Sequence, residues 1–520
     1  MRRKTAFTQS SHSSAAAPHL QNGSAFRDRF WSILLLFSAF WTFVPVFVIH
    51  NYRPDVLEMI ATGQNWVLAT PKHGALTCWL AEIIYQLTNR AAYAPYLTSQ
   101  LCVFFSLAGI SAFAKRYLPE KKAGLAVFCM LSYYFFHFES TLYNNNTTLG
   151  LFWIWTSFFG LRGLETGKKR WWVLTGIALG LGIYAKMTVV FLAFTIVLFL
   201  MTYKKERRLW LTSAPWLTVV FALLPALPLL KWNIDHQFAQ IFYAAGSASD
   251  NKIPSLFGHL AAPFYFAVEQ MLYIAPITIS FVPLILGKKG QKSADDDNKV
   301  SEKAETLFTY REKLRYLYFL TAVPFGINCL FALLSGSPPR GALGCHLWYF
   351  LPVLLLTGIK TDSEEKPFRN ARIVSLTVPV VIMFLFILGV WLSPAIEGHA
   401  SRYHYPGKQI AGAVTRLWRE RYPGPVPFVI GDEWITENVS VYAADRPRIW
   451  NLQWSTEEEF RQKGGVLLWE DGKPNSIQRK EEIEARFPYS GEVVSLTVKQ
   501  QTPFDVPPAK VNIGFYPPQK

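Results

Sequence analysis

The chain has 520 residues, of which 51% are hydrophobic, 16% aromatic and only 17% charged, whereas soluble domains average about 25% charged residues. Intrinsic disorder is excluded over most of the length, because disordered chains lack apolar and aromatic residues. A simple soluble enzyme is excluded as well, since the sequence contains many apolar runs of about 20 residues, each long enough to cross a bilayer.

The amino-terminal segment, residues 1–28, is polar and partly basic, and we expect a disordered cytoplasmic tail there. The first apolar run, Phe30–His50, is too long for a signal peptide and lacks a small-residue cleavage site, which predicts a retained membrane helix. Further apolar runs lie near 96–114, 123–140, 148–164, 171–187, 188–203, 210–232, 261–286, 315–335, 341–358 and 371–393. The pattern predicts an all-α polytopic membrane domain of about eleven spans, residues 29–395, with juxtamembrane helices.

The charges indicate the orientation of these spans, because Lys and Arg favour cytoplasmic loops. One set of alternate loops holds 29 basic residues and the opposite set holds seven. This asymmetry predicts a cytoplasmic amino terminus and external loops at 51–95 and 233–260. It also explains most of the net charge of +16 without nucleic acid as a partner. The alternation requires that the short run Ala75–Thr88, which contains Glu82, lies along the membrane surface and does not cross it.

The chain changes character after residue 395, where no further membrane run occurs. Short β-rich stretches alternate with helical stretches at about 408–421 and 455–463, which predicts a small external, periplasmic α/β domain at 396–520. The β-rich stretches are Phe428–Gly431, Val466–Trp469, Val493–Val498 and Val511–Tyr516.

The first external loop contains two carboxylates, Asp55 and Glu58, which would share one face of a helix. Such a pair can serve as general base, metal ligand or sugar anchor. The alternative is that Asp55 only caps a helix that starts near Pro54. Two carboxylates are too few ligands to predict a metal, and the five cysteines have no metal-ligand spacing. A divalent cation therefore stays an open alternative, and no other cofactor is expected.

Basic residues in the external segments could hold an anionic group. Lys72 and His73 suit a phosphate, although Lys72 could equally extend its ammonium toward water at the membrane surface. Lys186 interrupts an apolar stretch, and a charged residue within a membrane segment indicates a functional role by default. Because Lys186 lies near the end of a span, its ammonium could instead extend toward water. Arg340 suits a bidentate phosphate contact or a structural ion pair.

Amide side chains follow in the second external segment, Tyr143–Thr148. Asn144 and Asn146 can both donate and accept hydrogen bonds, which suits sugar hydroxyls. A simple polar turn is the alternative.

Taken together, these stretches resemble the bacterial glycosyltransferase family 39 of the GT-C fold. The shared pattern is an Asp…Glu pair, Gly63-x-x-Trp66, Lys-His before a juxtamembrane helix, Asn-x-Asn before Phe152-Trp153, Gly180-Leu-Gly-x-x-Ala-Lys186, and the stretches 429–434 and 437–447. The family includes relatives of the aminoarabinose lipid A transferase, protein O-mannosyltransferases and Rhizobium-type lipopolysaccharide galacturonosyltransferases. The resemblance covers residues from about 30 to 516.

The resemblance implies a polyprenyl-phosphate sugar donor and a glycolipid or lipopolysaccharide acceptor at the external face of a bacterial inner membrane. It implies that Asp55 is the catalytic base, that Glu58 supports it, and that Lys72 or His73 contacts the donor phosphate. Further roles are implied for Asn144 and Asn146 in lining the cavity and for Lys186 and Arg340 as basic contacts.

The chain departs from the family pattern at two places. Gly74-Ala75 stands where many relatives have Pro-Pro, and we expect a looser turn into the juxtamembrane helix. The second-loop position that is acidic in some relatives is Asn or Thr here.

The sequence therefore favours an inverting membrane glycosyltransferase with membrane lipids around it. A polytopic transporter or flippase of lipid-linked substrates is the alternative, and a non-catalytic scaffold is a third. A transporter should place charged residues deep in the bundle and break helices in paired positions, whereas the polar residues here gather in external loops.

Overall fold

Helices predominate in the described residues from Pro18 to Glu397, and a small mixed sheet follows them. The computed structural model describes residues 18–72, 74–249, 256–287, 307–360, 365–452, 454–489 and 491–519. The helices before the sheet are α1 Pro18–Val48, α2 Pro54–Gly63, α3 Leu76–Leu87, α4 Ala94–Ala114, α5 Glu120–Met130, α6 Asn145–Thr166, α7 Lys169–Ala185, α8 Val190–Thr202, α9 Lys204–Arg207, α10 Ser213–Asp235, α11 Ala239–Ser249, α12 Leu256–Ile279, α13 Val282–Leu286, α14 Tyr310–Ser335, α15 Leu351–Thr357 and α16 Lys366–Glu397.

Six helices in the described ranges are long and apolar enough to cross a membrane, or seven if the pair bent by 104° at residue 203 counts as one span. The chain is thus a predominantly helical, integral membrane protein, as predicted, and the number of eleven spans stays a prediction. Two predicted spans are built differently from single helices. The run 123–140 consists of α5, with 11 residues, and short 3-10 turns, and the run 341–358 ends in α15, with 7 residues.

The run Ala75–Thr88 forms α3, a helix of 12 residues. Its length is about 18 Å, which is too short for a hydrocarbon layer of about 30 Å. The structure therefore agrees with a surface helix at this position.

A buried ion cluster joins three helices at the end of the bundle remote from α2. Glu165 on α6 is fully buried and contacts Arg116 at 3.0 Å, Arg162 at 2.7 Å and Lys313 at 3.2 Å. A carboxylate buried in this way is tolerated only because it is paired. The cluster thereby ties α4, α6 and α14 together.

The carboxyl-terminal domain has five strands in the order β2-β1-β3-β5-β4. β1 is parallel to β2 and β3, whereas β5 is antiparallel to β3 and β4. All four predicted strands are present within two residues of their predicted bounds, and β2 and two helices were not predicted. The elements are α17 Gly407–Arg421, β1 Phe428–Gly431, α18 Glu433–Tyr442, β2 Arg448–Ile449, α19 Glu457–Lys463, β3 Gly465–Trp469, α20 Pro474–Arg486, β4 Val493–Val498 and β5 Ala509–Tyr516.

The carboxyl-terminal domain docks on α2 and α3. Arg446 donates two hydrogen bonds to the buried carboxylate of Glu82, at 2.7 and 2.9 Å. Gln64 at the end of α2 donates to Ser440 on α18 at 2.7 Å, and the Tyr442 hydroxyl accepts from the backbone of Tyr52 at 2.8 Å. The helix that carries Asp55 is therefore held from both sides.

Of the expected amino-terminal tail, residues 1–28, the part from 1 to 17 lies outside the described residues. Its remaining part is helical backbone at the beginning of α1, which starts at Pro18. The Lys- and Asp-rich segment 287–314, which the sequence predicts to be a loop between two apolar runs, lies outside the described residues from 288 to 306.

Candidate active site

Asp55 lies in the first turn of α2. Pro54 occupies the first helical position, which suits its fixed φ, and the N-cap residue is Arg53, whose side chain makes no cap hydrogen bond. Asp55 is thus not the cap of this helix. Val56 and Leu57 are fully buried and anchor the turn, so the half-buried carboxylate of Asp55 faces the start of α6.

Asn144 fixes the orientation of Asp55. As N-cap of α6, its side-chain oxygen accepts from the backbone N–H groups of Asn146 at 2.9 Å and Thr147 at 3.4 Å. Because the oxygen is used by the cap, the amide nitrogen points away and donates to Asp55 Oδ2 at 3.0 Å. The predicted sugar-lining amide is therefore a positioning group for the predicted base.

Lys186 lies in an extended break between α7 and the 3-10 turn that precedes α8. Its ammonium donates to Asn146 Oδ1 at 2.5 Å, a neutral partner. Asp55 and Arg340 are near enough for their charges to act on Lys186. One turn at the beginning of α6 thus holds a carboxylate through Asn144 and a cation through Asn146.

Arg340 lies at the start of the 3-10 turn Gly341–Gly344 and is exposed. It makes no salt bridge with any residue in the described part of the chain. A guanidinium in this state is available to an anion.

Glu58 and Lys72 lie at the contact with the carboxyl-terminal domain. The Lys72 ammonium contacts Glu58 at 3.0 Å and Glu433 at 2.9 Å. Burial alone would lower the pKa of Lys72, but the two carboxylates raise it above its ordinary value. Asp55 and Glu58 are therefore one turn apart on α2 and serve different neighbours.

The divalent cation considered from the sequence finds few ligands here. No group of three or more His, Cys, Asp or Glu side chains in the described ranges is arranged to hold a metal ion. His73, the remaining predicted contact, lies outside the described residues.

Comparison with known families adds a match over residues 72–232 to the profile of the dolichyl-phosphate-mannose-protein mannosyltransferases. The segment contains Lys72, Asn144, Asn146 and Lys186. No curated protein sequence matches the chain significantly.

Among solved structures, the chain is similar to ArnT from Cupriavidus metallidurans bound to undecaprenyl phosphate, with a TM-score of 0.61, 11% identity, and coverage of 94% of this chain and 98% of that chain. The apo state of the same protein gives a TM-score of 0.58, 11% identity and coverage of 95% and 98%. The archaeal oligosaccharyltransferase AglB from Archaeoglobus fulgidus gives only 0.40, with 12% identity and coverage of 82% and 64%. The chain has the GT-C fold of these structures, and its residues 72–232 resemble the mannosyltransferase family.

The resemblance predicted for this family 39-like protein is thus confirmed, and with it the glycosyltransferase class at the level of fold and matched segment. The individual roles predicted for Asp55, Glu58, Lys72, His73, Asn144, Asn146, Lys186 and Arg340 stay predictions.

One acidic residue of this family 39-like protein was missed from the sequence. Glu139 accepts from Arg53 and from the Tyr134 hydroxyl, each at 3.3 Å, and lines a small cavity with Asn144 and Asn146. The signal was present, since Glu139 is the one carboxylate in an aromatic stretch that was assigned to a span, and such residues are functional by default. An acid therefore lies beside Asn144 and Asn146, although it precedes the segment Tyr143–Thr148.

Gly74 does not loosen the turn before α3, contrary to expectation. A Cβ at this position would come within 2.5 Å of the backbone oxygen of Tyr184, at the end of α7. The loop after Lys72 thus packs backbone to backbone beside Lys186, and only glycine permits that approach.

Proposed function

We propose that the protein transfers a sugar from a polyprenyl-phosphate-linked donor to a lipid or lipopolysaccharide-type acceptor at the external face of the membrane, with inversion. The observation that carries the proposal is the pairing of Asp55 with Asn144 and of Lys186 with Asn146 on one turn of α6. A base and a cation held a few residues apart are what displacement of a phosphate requires.

In the proposed reaction, Asp55 takes the proton from the acceptor hydroxyl or amine. The acceptor atom then bonds to the anomeric carbon from the side opposite to the phosphate, and the bond from that carbon to the phosphate oxygen breaks. The electron pair leaves with polyprenyl phosphate. Direct displacement of this kind inverts the anomeric centre.

Lys186 and Arg340 are the cations best placed to stabilise the departing phosphate. Lys186 contacts only the neutral amide of Asn146 by hydrogen bond, and Arg340 has no salt bridge in the described ranges. Lys72, in contrast, is neutralised by Glu58 and Glu433. Its predicted phosphate contact would need one of these pairs to open.

The similarity to ArnT supports the choice of donor, because that protein was crystallised with undecaprenyl phosphate. The basic asymmetry of the loops supports an inside amino terminus and an external catalytic face in a bacterial inner membrane.

The test is transfer by the purified full-length protein in nanodiscs. The protein is incubated with a panel of polyprenyl-phosphate sugars and with lipopolysaccharide precursors, and the acceptor mass is followed by mass spectrometry. We expect a gain of one sugar, equal release of polyprenyl phosphate, and an inverted anomeric configuration by NMR. Movement of labelled lipid-linked sugar across proteoliposomes without any transfer would favour the transporter alternative instead.

A further inference from the structure

The carboxyl ends of the parallel strands β1 and β3 face the membrane domain. β1 lies between β2 and β3, so the chain leaves β1 toward one side for β2 and later returns to its other side as β3. In open α/β sheets, ligands bind outside the carboxyl ends of the strands where the strand order reverses in this way. The residues directly after β1 and β3, Asp432 and Glu470, mark that place.

A cavity of about 590 Å³ opens at this edge, within the range of about 300–1,000 Å³ for small-molecule sites. One wall belongs to the membrane domain and includes Glu58 and Lys72. The opposite wall belongs to the carboxyl-terminal domain and includes Trp434, Trp454 and Asn475. A second cavity, also about 590 Å³, adjoins the first at Trp434 and Asn475. The two together exceed the space that a single sugar ring needs.

Glu437 supplies an independent sign of a ligand. Its side chain lines the first cavity, is 5% exposed, and has no hydrogen bond or salt bridge within the described part of the chain. Burial raises the pKa of Glu437 well above that of an ordinary carboxyl, and the charges of Glu58 and Glu433 raise it further. A protonated carboxyl can donate one hydrogen bond and accept others, as a hydroxyl-bearing ligand requires. In the adjoining cavity, the buried hydroxyl of Tyr405 also has no hydrogen-bond partner among the described residues.

The charges of the cavity argue against an ionic ligand. Lys72 is neutralised by Glu58 and Glu433, Arg479 contacts Glu482 at 2.9 Å, and the Arg402 guanidinium lies over the Trp434 ring, 5.2 Å from its centroid. The indoles of Trp434 and Trp454 and the amide of Asn475 also line the cavity, and such groups suit the C–H faces and hydroxyl groups of a sugar ring.

We infer that the crevice between α2 and the carboxyl edge of β1 and β3 binds an uncharged sugar of the acceptor. That the sugar belongs to the acceptor rests on the proposed function, whereas the binding of a neutral sugar does not. Glu58 and Asp55 lie one turn apart on α2, so a sugar in the crevice lies beside the proposed base. The acceptor is thereby recognised by a neutral glycan portion.

The experiment uses the full-length protein in nanodiscs without any donor. Saturation-transfer NMR is recorded with methyl glycosides of neutral hexoses, with neutral disaccharides, with glucuronic acid and with glucosamine. The variants are Trp434→Ala, Asn475→Ala, Glu437→Gln and Glu437→Leu, and Trp216→Ala on the exposed face of α10 is the control. Asn475 is exposed, so its truncation keeps the fold should Trp434→Ala fail to fold.

We expect neutral sugars to bind in preference to the charged ones, and Trp434→Ala to weaken them about tenfold, as loss of one aromatic contact does. Asn475→Ala and Glu437→Leu should also weaken binding, whereas Glu437→Gln and Trp216→Ala should not. Absence of binding above empty nanodiscs, a preference for the uronic acid, or binding indifferent to both Trp434→Ala and Asn475→Ala would overturn the inference.

Transfer assays separate this inference from the proposed function. If transfer occurs and Trp434→Ala raises the KM for acceptor with the KM for donor unchanged, both stand. If neutral sugars bind at Trp434 but the protein transfers nothing, the proposed reaction is refuted and the sugar-binding subsite is supported. Normal acceptor KM in every crevice variant would remove the subsite and keep the reaction.

Discussion

Asp55 owes its orientation to a residue that caps a different helix. The cap oxygen of Asn144 is committed to the backbone of α6, which leaves only its amide hydrogens for Asp55. A carboxylate held by a rigid donor keeps one geometry through catalysis, as proximity effects require. The polar turn considered as an alternative for this segment therefore also orients the carboxylate that we propose as the base.

The first prediction concerns Asp55→Asn. The change keeps the size of the side chain and removes its proton affinity, so we expect the transfer rate to fall by about 10²–10⁴ with donor affinity nearly unchanged. Single-turnover rates and donor binding are the measurements. Asp235→Asn, at an exposed carboxylate paired with Lys231, is the matched control.

Lys186→Met should mainly weaken donor binding in the same assays, because it removes a charge-assisted contact.

A well-folded Asp55→Asn protein that transfers sugar at the normal rate would refute the base assignment and leave Glu58 and Glu139 as candidates.

The second prediction concerns Glu437 and pH. Since burial raises its pKa in the folded state, the unfolded chain releases this proton first, and stability falls as pH rises above about 4.3, the unfolded-state pKa. Glu437→Gln cannot ionise and should escape this loss. We expect the variant to have a higher Tm than the wild type at pH 7 to 8 and an equal one near pH 4. Equal Tm differences at both pH values would show that Glu437 does not titrate between them.

Sequence patterns located residues better than they located their partners. Asp55, Asn144, Asn146 and Lys186 were all singled out, and the structure brings them together. The pairing of Lys72 with Glu433 could not be foreseen, because the two residues are 361 positions apart and meet only through domain docking. The burial of Glu437 could not be predicted for the same reason, since it comes from the packed domains and not from the neighbours of Glu437 in sequence.

At the scale of elements, apolar runs predicted the helices well where the backbone is regular. Hydropathy cannot distinguish a continuous helix from a broken one, because it measures side chains and not backbone hydrogen bonds. The stretch Tyr133–Phe138 is aromatic enough to belong to a span, yet it folds into short turns that bring Glu139 to the site. The strands were predicted from short β-rich stretches between helical stretches, whereas the two-residue strand β2 is too short to leave such a pattern.

The third prediction concerns the contact between α3 and the carboxyl-terminal domain. Arg446→Ala leaves the buried carboxylate of Glu82 without its bidentate partner, which typically costs about 3–5 kcal/mol. We expect a lower Tm and faster proteolysis between α16 and α17. Lys463→Ala, which breaks an exposed pair with Glu459 in the same domain, should cost only about 0–1 kcal/mol. Equal effects of the two substitutions would show that the Glu82 contact does not hold the domains together.

At the scale of the whole molecule, the unequal distribution of basic residues predicts that α2, α3 and the carboxyl-terminal domain lie on the external side of the membrane. In this orientation, Glu165 and its three cations would lie at the cytoplasmic end. The fourth prediction follows from this orientation. Reporter fusions after Ser335 and after Gly398, each at a helix end, should both report the external side. A cytoplasmic signal from either fusion would contradict the orientation and place Asp55 on the wrong face.

The sharing of α2 between two domains has an energetic consequence. Its ten residues, about 15 Å in length, carry Asp55 at one end and Glu58 in the crevice wall, and Gln64, directly after the other end, contacts α18. A ligand that shifts this helix alters affinity at both ends, and linkage requires the two effects to be equal. An acceptor that lacks its neutral sugar should therefore leave the donor affinity unchanged. The intact acceptor should change the donor affinity, and the donor should change the acceptor affinity by the same factor. Donor titrations with each acceptor measure that factor, and a donor affinity that the intact acceptor leaves unchanged would exclude coupling through α2.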